Sequence, residues 1–246
     1  MKVLLTNDDG LFTNGLLHLE QALASFGEIW CIAPDRERSA TSQALSLRET
    51  LLLKEVSPRK FTVNGYPTDC VNLALFTEDF PAFDLVVSGI NHGVNLGDDI
   101  HYSGTVGAAR HAALHGKKAI AISAPIRPHD GDFRRPAAWL AKWLETNLEN
   151  FPQRVLWNIN YPLEARANAG DPFPGMRWTR QGRRIYKDAY ELLEEGAGGK
   201  LYKLLETEMG WHDDAESDCR AFEDGMISIT PLALDTTAVT IEPVSR

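Results

Sequence analysis

The stretch MKVLLTNDDG, residues 1–10, joins an apolar run directly to two adjacent aspartates. Lys2 to Leu5 form the near-continuous apolar run expected of a parallel strand that is covered on both faces. On a continuing strand adjacent side chains point to opposite faces, so either Asp8 or Asp9 would be forced toward the core, where an unpaired charge is costly. We therefore expect the strand to end before Asp8 and the following loop to use both carboxylates.

Strand and helix patterns alternate from this first strand as far as Pro162. Apolar positions at helical spacing after Asn14 predict a helix that stops at Gly27, and EIWCIAP (28–34) predicts the second strand. FDLVVSGIN (83–91) predicts a third, buried strand. Other predicted elements are a short strand and turn over 61–67, strands over 118–123 and 154–162, and helices over 68–76, 105–114 and 134–148. Repeated β-then-α units indicate an α/β fold of three layers, with helices on both faces of a mostly parallel sheet.

The regular alternation stops after Pro162, and the remaining sequence is more polar and is interrupted by glycines. We predict a single domain over 1–246, with a core over 1–162 and an appendage over 163–246. The appendage is expected to include a β-hairpin arm that pairs with another subunit.

Composition excludes several classes of function. The 246 residues are 43% hydrophobic and carry a formal net charge of −9, which argues against a nucleic-acid partner because such binding draws on clustered Lys and Arg. Cys31, Cys70 and Cys219 match no metal or redox spacing, so reduced thiols are expected. No stretch resembles a signal peptide or reaches the length of a membrane span, and a cytoplasmic protein without a membrane partner is predicted.

Oxygen-bearing side chains follow three of the predicted strands. In an open parallel sheet, ligands bind outside the carboxyl ends of the strands, where these loops meet. Carboxylate, hydroxyl and amide oxygens, with no thiol or imidazole within the spacing, suit a hard divalent cation such as Mg²⁺ or Mn²⁺ better than zinc. The candidate side chains are Asp8 and Asp9, then Ser39, Thr41 and Ser42, then Ser88, Asn91 and Asn95.

The segment HYSGTVGAARHA (101–112) predicts an anion site at the start of a helix. Ser103, Gly104 and Thr105 stand where a helix of small residues begins, and a helix N-terminus offers free N–H groups and the positive end of the dipole. A plain Ser/Thr cap uses the same residues, so both interpretations stay open. His92 and His101 are candidates for substrate contact or proton transfer, whereas a loop or capping role is expected of Asp98 and Asp99.

Four motifs follow one another along the chain: TNDDG (6–10), APDRERSATS (33–42), VVSGINHGVNLGDDIHYSGTVGAAR (86–110) and ISITPLALDTT (227–237). With these motifs in this order, the chain resembles the SurE family, the stationary-phase survival protein E nucleotidases. The resemblance implies a Rossmann-like core, a metal-dependent phosphomonoesterase acting on nucleoside monophosphates, and a C-terminal arm used in homodimers or homotetramers. It implies one divalent cation per subunit, held by Asp8, Asp9, Ser39 and Asn91. The implied phosphate-contacting residues are Asn95, Ser103, Gly104 and Thr105.

The expected reaction is direct attack of water on a phosphate monoester, with Asp8 or Asp9 as the proton acceptor. The preferred cation, 5′ against 3′ monophosphates, and activity on short polyphosphate stay open. A covalent aspartyl-phosphate route is disfavoured because both acids are assigned to the cation. The alternatives are a phospho-receiver module, which would need an acceptor Asp after the third strand, and a non-catalytic nucleotide-binding protein.

Overall fold

The computed structural model describes residues 1–125, 132–162, 173–196, 198–205 and 210–237. The first residues of the predicted appendage, 163–172, lie outside these ranges. The helices are α1 (Asn14–Leu23), α2 (Pro67–Phe76), α3 (Gly104–Leu114), α4 (Arg134–Asn147) and α5 (Asp218–Glu223). The strands are β1 (Lys2–Thr6), β2 (Glu28–Pro34), β3 (Leu53–Ser57), β4 (Lys60–Val63), β5 (Leu85–His92), β6 (Lys118–Ala124), β7 (Val155–Asn160), β8 (Met176–Trp178), β9 (Arg184–Ile185), β10 (Ala189–Gly196), β11 (Gly199–Leu205), β12 (Gly210–Trp211) and β13 (Ile227–Ala233).

Nine strands form the central sheet in the order β3-β4-β2-β1-β5-β6-β7-β13-β8. The strands from β4 to β7 are parallel to one another, whereas β3 and β13 run antiparallel to their neighbours β4 and β7. The predicted α/β fold with a mostly parallel, Rossmann-like sheet is confirmed. Because β1, β2 and β5 are adjacent and parallel, the loops that leave their carboxyl ends meet at one edge of the sheet.

One hydrophobic core lies on each face of the sheet. Leu16, Leu19 and Leu23 of α1 pack in the same core as the apolar face of α4, while α2 and α3 cover the opposite face with small and β-branched residues. The buried face of α4 includes Trp139, Leu140, Trp143 and Leu144. The predicted three layers, helix, sheet and helix, are therefore present.

The first helix ends earlier than its periodicity predicts. The α-helix stops at Leu23, and a 3-10 turn over Ala24–Phe26 leads to Gly27. Gly27 has a φ of 140°, and a Cβ there would lie 2.1 Å from the carbonyl oxygen of Met1. Only glycine fits this conformation and this close approach, so Gly27 returns the chain to the sheet.

The region after Pro162 contributes strands to the central sheet as well as a β-hairpin outside it. β13 inserts between β7 and β8, so residues beyond 162 complete the central sheet. β10 and β11 form the predicted hairpin, which lies outside that sheet and exposes nearly all of its side chains. Among the described residues, no helix combines the length and apolar character that a membrane crossing requires. The three cysteines are free and buried, in agreement with the expected thiols.

Candidate metal and phosphate site

A cavity of about 460 Å³ lies at the carboxyl edge of β1, β2 and β5. Six of the eight side chains implied by the family resemblance line this cavity: Asp8, Asp9, Ser39, Asn91, Asn95 and Ser103. They come from the loops that follow β1, β2 and β5, from the end of β5 itself, and from the residue before α3, as expected for an open parallel sheet. Gly104 and Thr105, the other two, belong to the first turn of α3, which packs against Asp8.

Asp8 is buried and is held from α3. The backbone N–H of Thr105 donates to Oδ2 of Asp8 at 3.2 Å, and the Thr105 hydroxyl donates to Oδ1. Burial raises the pKa of Asp8 to about 6, although the hydroxyl bond opposes this shift. A buried carboxylate with a raised pKa and no cationic partner is costly, and a bound cation would relieve that cost. The observed contact of Thr105 is therefore with Asp8, and its role toward phosphate stays a prediction.

Asp9 is more accessible than Asp8 and contacts the end of β5. Its Oδ2 accepts a hydrogen bond of 3.3 Å from the backbone N–H of His92. Burial raises the pKa of Asp9, and the nearby His92 opposes that shift. The His92 ring stacks on Phe133 with centroids 4.9 Å apart, so this histidine lines the cavity from a fixed position. The prediction that His92 lies near the site is consistent with this geometry.

Ser39 and Asn91 contribute neutral oxygens. Ser39 is exposed, and its hydroxyl donates to Glu37 at 2.6 Å. The side-chain amide of Asn91 donates through Nδ2 to the carbonyl oxygen of Gly93 at 2.9 Å. That bond uses the nitrogen of the amide and leaves its oxygen as the acceptor, which is the atom that a hard cation requires.

Asn95 is fixed by a buried polar network. Its backbone N–H donates to Asn160 at 2.8 Å, and its side-chain Nδ2 donates to Ser123 at 2.8 Å. Its carbonyl oxygen accepts from both Asn158 and Asn160, at the end of β7. Four hydrogen bonds to β6 and β7 hold this loop in one arrangement, so Asn95 meets the cavity in a fixed orientation.

The start of α3 lies against Asp8 because residue 104 has no side chain. A Cβ at Gly104 would lie 3.0 Å from both Cβ and Oδ2 of Asp8, and 3.0 Å from Oγ1 of Thr41. The hydroxyl of Ser103 caps the helix by accepting from the N–H of Val106 at 3.1 Å. The cap expected from the sequence is thus present, and the N–H groups of the first turn have no carbonyl partner within the helix.

Sequence reasoning did not single out Glu37, Tyr102 and Arg184, which also line the cavity. Arg184 of β9 pairs with Asp99 at 2.9 Å, and its own backbone N–H bonds to Asp98 at 2.8 Å. Asp99 also caps the 3-10 helix over Gly97–His101, in line with the capping role expected from the sequence. His101 lies outside this cavity and lines a different one. No local pattern signals Arg184, because its partners are more than 80 residues away.

The donor set fits a hard divalent cation. Two carboxylates, one hydroxyl and one amide oxygen converge on the cavity, without a thiol. Within the described ranges no group of three or more His, Cys, Asp or Glu has the arrangement of a metal site, so a cation here would rely on the neutral oxygens and on water. That coordination is typical of Mg²⁺, which keeps several waters and few protein ligands.

The fold and the site define an α/β protein with an oxygen-lined cavity at the carboxyl edge of a mostly parallel sheet. The family model described as Survival protein SurE matches residues 3–188. The 5′-nucleotidase SurE of Leptospira interrogans is 40% identical over 98% of this chain and 95% of its own length. The 5′-nucleotidase SurE of Myxococcus xanthus is 42% identical over 96% of this chain and 88% of its own. The crystal structure of the SurE protein from Aquifex aeolicus superposes with a TM-score of 0.82 at 36% identity, covering 96% of this chain and 95% of that one. This chain belongs to the SurE family.

Proposed function

We propose that this chain is a metal-dependent phosphomonoesterase that hydrolyses nucleoside 5′-monophosphates to nucleoside and phosphate. The observation that carries the proposal is the convergence of Asp8, Asp9, Ser39 and Asn91 on one cavity beside the start of α3. Relatives that share about 40% of its residues over nearly the full length are named 5′-nucleotidase SurE. The pairing of a cation site with a helix N-terminus suits a substrate that carries a phosphoryl group.

The residues divide the work of the reaction by position. Asp8, Asp9, Ser39 and Asn91 would hold the cation, whose positive charge would offset the developing charge on the phosphoryl oxygens. The N–H of Gly104 at the start of α3, with Ser103 and Asn95, would hold the remaining phosphoryl oxygens, since the N–H groups of Thr105 and Val106 already donate to Asp8 and Ser103. Both oxygens of Asp8 are engaged by Thr105, so we assign the proton of the attacking water to Asp9. Asp9 is the more accessible acid, and His92 fixes its orientation.

The rival functions receive less support from these residues. A phospho-receiver would need an acceptor aspartate at the end of the third predicted strand, whereas β5 ends in Asn91 and His92. A non-catalytic nucleotide-binding protein would need no paired acids beside its phosphate site. No second function is proposed on these grounds.

Phosphate release from nucleoside monophosphates tests the proposal. Purified protein should release phosphate with Mg²⁺ or Mn²⁺ and lose that activity in EDTA. Asp9→Asn should abolish turnover, whereas Asp79→Asn, an exposed aspartate at the end of the α2 segment, should leave it intact. A panel of 5′ and 3′ monophosphates and short polyphosphate against both cations identifies the substrate and the metal. Turnover that survives chelation would contradict the proposal.

We also propose that the β10–β11 hairpin pairs subunits of a homodimer or homotetramer. Its two strands expose several large apolar side chains, and such a surface is costly unless another surface covers it. These side chains are Tyr190, Leu192, Leu193, Leu201, Tyr202, Leu204 and Leu205. The cytoplasmic location and the absence of a nucleic-acid partner stay predictions of the sequence.

A further inference from the structure

A second cavity, of about 340 Å³, lies on the other side of the 3-10 helix Gly97–His101 from the candidate active site. Tyr102 lines the candidate active site, whereas the preceding residue, His101, lines this second cavity. Part of its wall is apolar and comes from Ile100 and from the end of β13, including Leu232. Its polar lining includes Arg110 of α3 and Gln181.

Arg110 is the unusual residue of this cavity. Its side chain is partly buried, and its Nε is inaccessible to solvent without a hydrogen-bond partner. In the part of the chain that the structure describes, its guanidinium forms no ion pair. Burial lowers the pKa of Arg110, because desolvation penalises its charged form. Arginine keeps its charge in proteins, so a partly desolvated guanidinium without a carboxylate favours an anion from outside.

The other charged groups that line the cavity do not neutralise the Arg110 guanidinium. Arg180 is already paired, with Asp214 at 3.1 Å and Glu216 at 3.6 Å. Asp235, the carboxylate that lines the cavity, is exposed and accepts a hydrogen bond from the N–H of Thr237 at 2.9 Å. The chain has an excess of acidic residues, yet none of its described carboxylates pairs with Arg110.

Amide, imidazole and hydroxyl side chains line the same cavity as Arg110. Nε2 of Gln181 lies 3.3 Å from Nε2 of His101, so these two side chains meet within the cavity lining. Thr236 adds a hydroxyl from the segment after β13. A guanidinium with amide, imidazole and hydroxyl groups around it matches a tetrahedral oxyanion, which accepts hydrogen bonds in several directions.

We propose that this second cavity is an accessory oxyanion site that binds inorganic phosphate, with the Arg110 guanidinium as its cationic partner. The site is separate from the cavity of Asp8 and Asp9, so it does not depend on the proposed reaction. If that reaction occurs, its phosphate product is a ligand that the protein itself supplies.

Binding of inorganic phosphate to the full chain in EDTA tests the proposal, because without a cation the acidic cavity of Asp8 and Asp9 repels phosphate. Isothermal titration should give a saturable signal for the unmodified protein. Arg110→Gln should weaken phosphate binding by at least about tenfold, the effect of losing one charge-assisted hydrogen-bond partner. Arg48→Gln, which removes the same charge from an exposed loop, should bind phosphate as the unmodified protein does.

Two further experiments, on other residues of the cavity wall and on a second anion, complete the test. Gln181→Ala and Thr236→Val alter the cavity wall without removing the buried charge, and each should weaken binding several-fold even if Arg110→Gln fails to fold. Acetate should bind more weakly than phosphate, since it offers two acceptor atoms rather than four. Equal phosphate affinity in Arg110→Gln and Arg48→Gln, acetate binding as tight as phosphate, or no saturable phosphate binding to the unmodified protein would each overturn the proposal.

Discussion

Thr105 and Asp8 are joined by two hydrogen bonds although they lie 97 residues apart in the chain. One comes from the Thr105 backbone N–H and the other from its hydroxyl, so a single residue holds both carboxylate oxygens of Asp8. The first turn of α3 thereby orients a side chain that leaves the end of β1. Residues that orient metal ligands commonly affect metal affinity or activity by 10- to 100-fold when they are changed.

Thr105→Val directly tests whether the Thr105 hydroxyl orients the Asp8 carboxylate for activity. The substitution keeps the shape of the side chain and the backbone N–H bond but removes the hydroxyl donor to Asp8. We expect kcat on a nucleoside monophosphate to fall roughly 10- to 100-fold. Thr77→Val is the matched control, because the Thr77 hydroxyl bonds only to the carbonyl of Leu73 at the end of α2. Equal activities of the two variants would mean that the hydroxyl has no part in the site.

Cation binding should depend on pH through Asp8. Its pKa is raised from 3.8 to about 6, so the metal-free folded protein holds this proton more tightly than the unfolded chain does. The stabilising contribution of that proton is present below about pH 4 and is lost as the pH rises through about 6. A cation needs the ionised form, so we expect Mg²⁺ to raise the Tm much more at pH 7.5 than at pH 5.

The variant Asp8→Asn serves as the control for this pH dependence. The asparagine side chain cannot ionise, so the Tm of the metal-free variant should vary less with pH than the Tm of the unmodified protein. Mg²⁺ should raise the Tm of the variant only slightly at both pH 5 and pH 7.5. A Mg²⁺ effect on the unmodified protein that is as large at pH 5 as at pH 7.5 would contradict the assignment of Asp8 to the cation.

Asp218 is expected to stabilise the loop that carries Asn95. Its buried carboxylate accepts hydrogen bonds from the N–H groups of Gly97 at 3.0 Å and Gly182 at 2.9 Å. Asp218→Asn replaces an acceptor oxygen with a donor, and we expect the free energy of unfolding to fall by about 1 to 3 kcal/mol in urea titrations. The partly exposed Asp214, which pairs with Arg180, is the comparison, and Asp214→Asn should have a smaller effect.

If the β10–β11 hairpin pairs subunits, disrupting its apolar surface should lower the mass of the protein in solution. Leu201→Glu combined with Leu204→Glu places two charges on an exposed apolar strand that is proposed to be covered by another subunit. The double variant should shift toward monomers of 27.4 kDa in light scattering, with secondary structure unchanged by circular dichroism. Leu52→Glu, at an equally exposed leucine outside the hairpin, should keep the native mass. A monomeric unmodified protein would refute the proposal.

Helices and strands with one buried face were predictable, because burial of that face requires apolar residues at regular spacing in the sequence. The apolar run of β1, the helical spacing of α1 and the tryptophan and leucine face of α4 each report a buried surface. β3 was not predicted, since four of its five residues are exposed and it pairs only with β4 at the edge of the sheet. An edge strand without a buried face has no apolar alternation to reveal it.

The candidate site was predictable where its residues follow strand ends. Asp8, Asp9 and Ser39 occupy loops and Asn91 the end of β5, and their meeting point follows from the parallel order of β1, β2 and β5. The contacts of Arg184 and Asp218 could not be predicted from the sequence, because they depend on how the region after residue 162 packs against the 3-10 helix over Gly97–His101. Such contacts are set by tertiary packing, which leaves no local signature in the chain.

The insertion of β13 between β7 and β8 has a consequence for synthesis on the ribosome. β7 is followed in the sheet by residues 227–233, so its hydrogen-bonding edge stays open until those residues, more than 60 positions later in the chain, have emerged. An open strand edge invites pairing with other chains. Nascent protein truncated after β7 should therefore be more prone to aggregation than the full chain, although it contains all the acidic and amide groups of the candidate metal site.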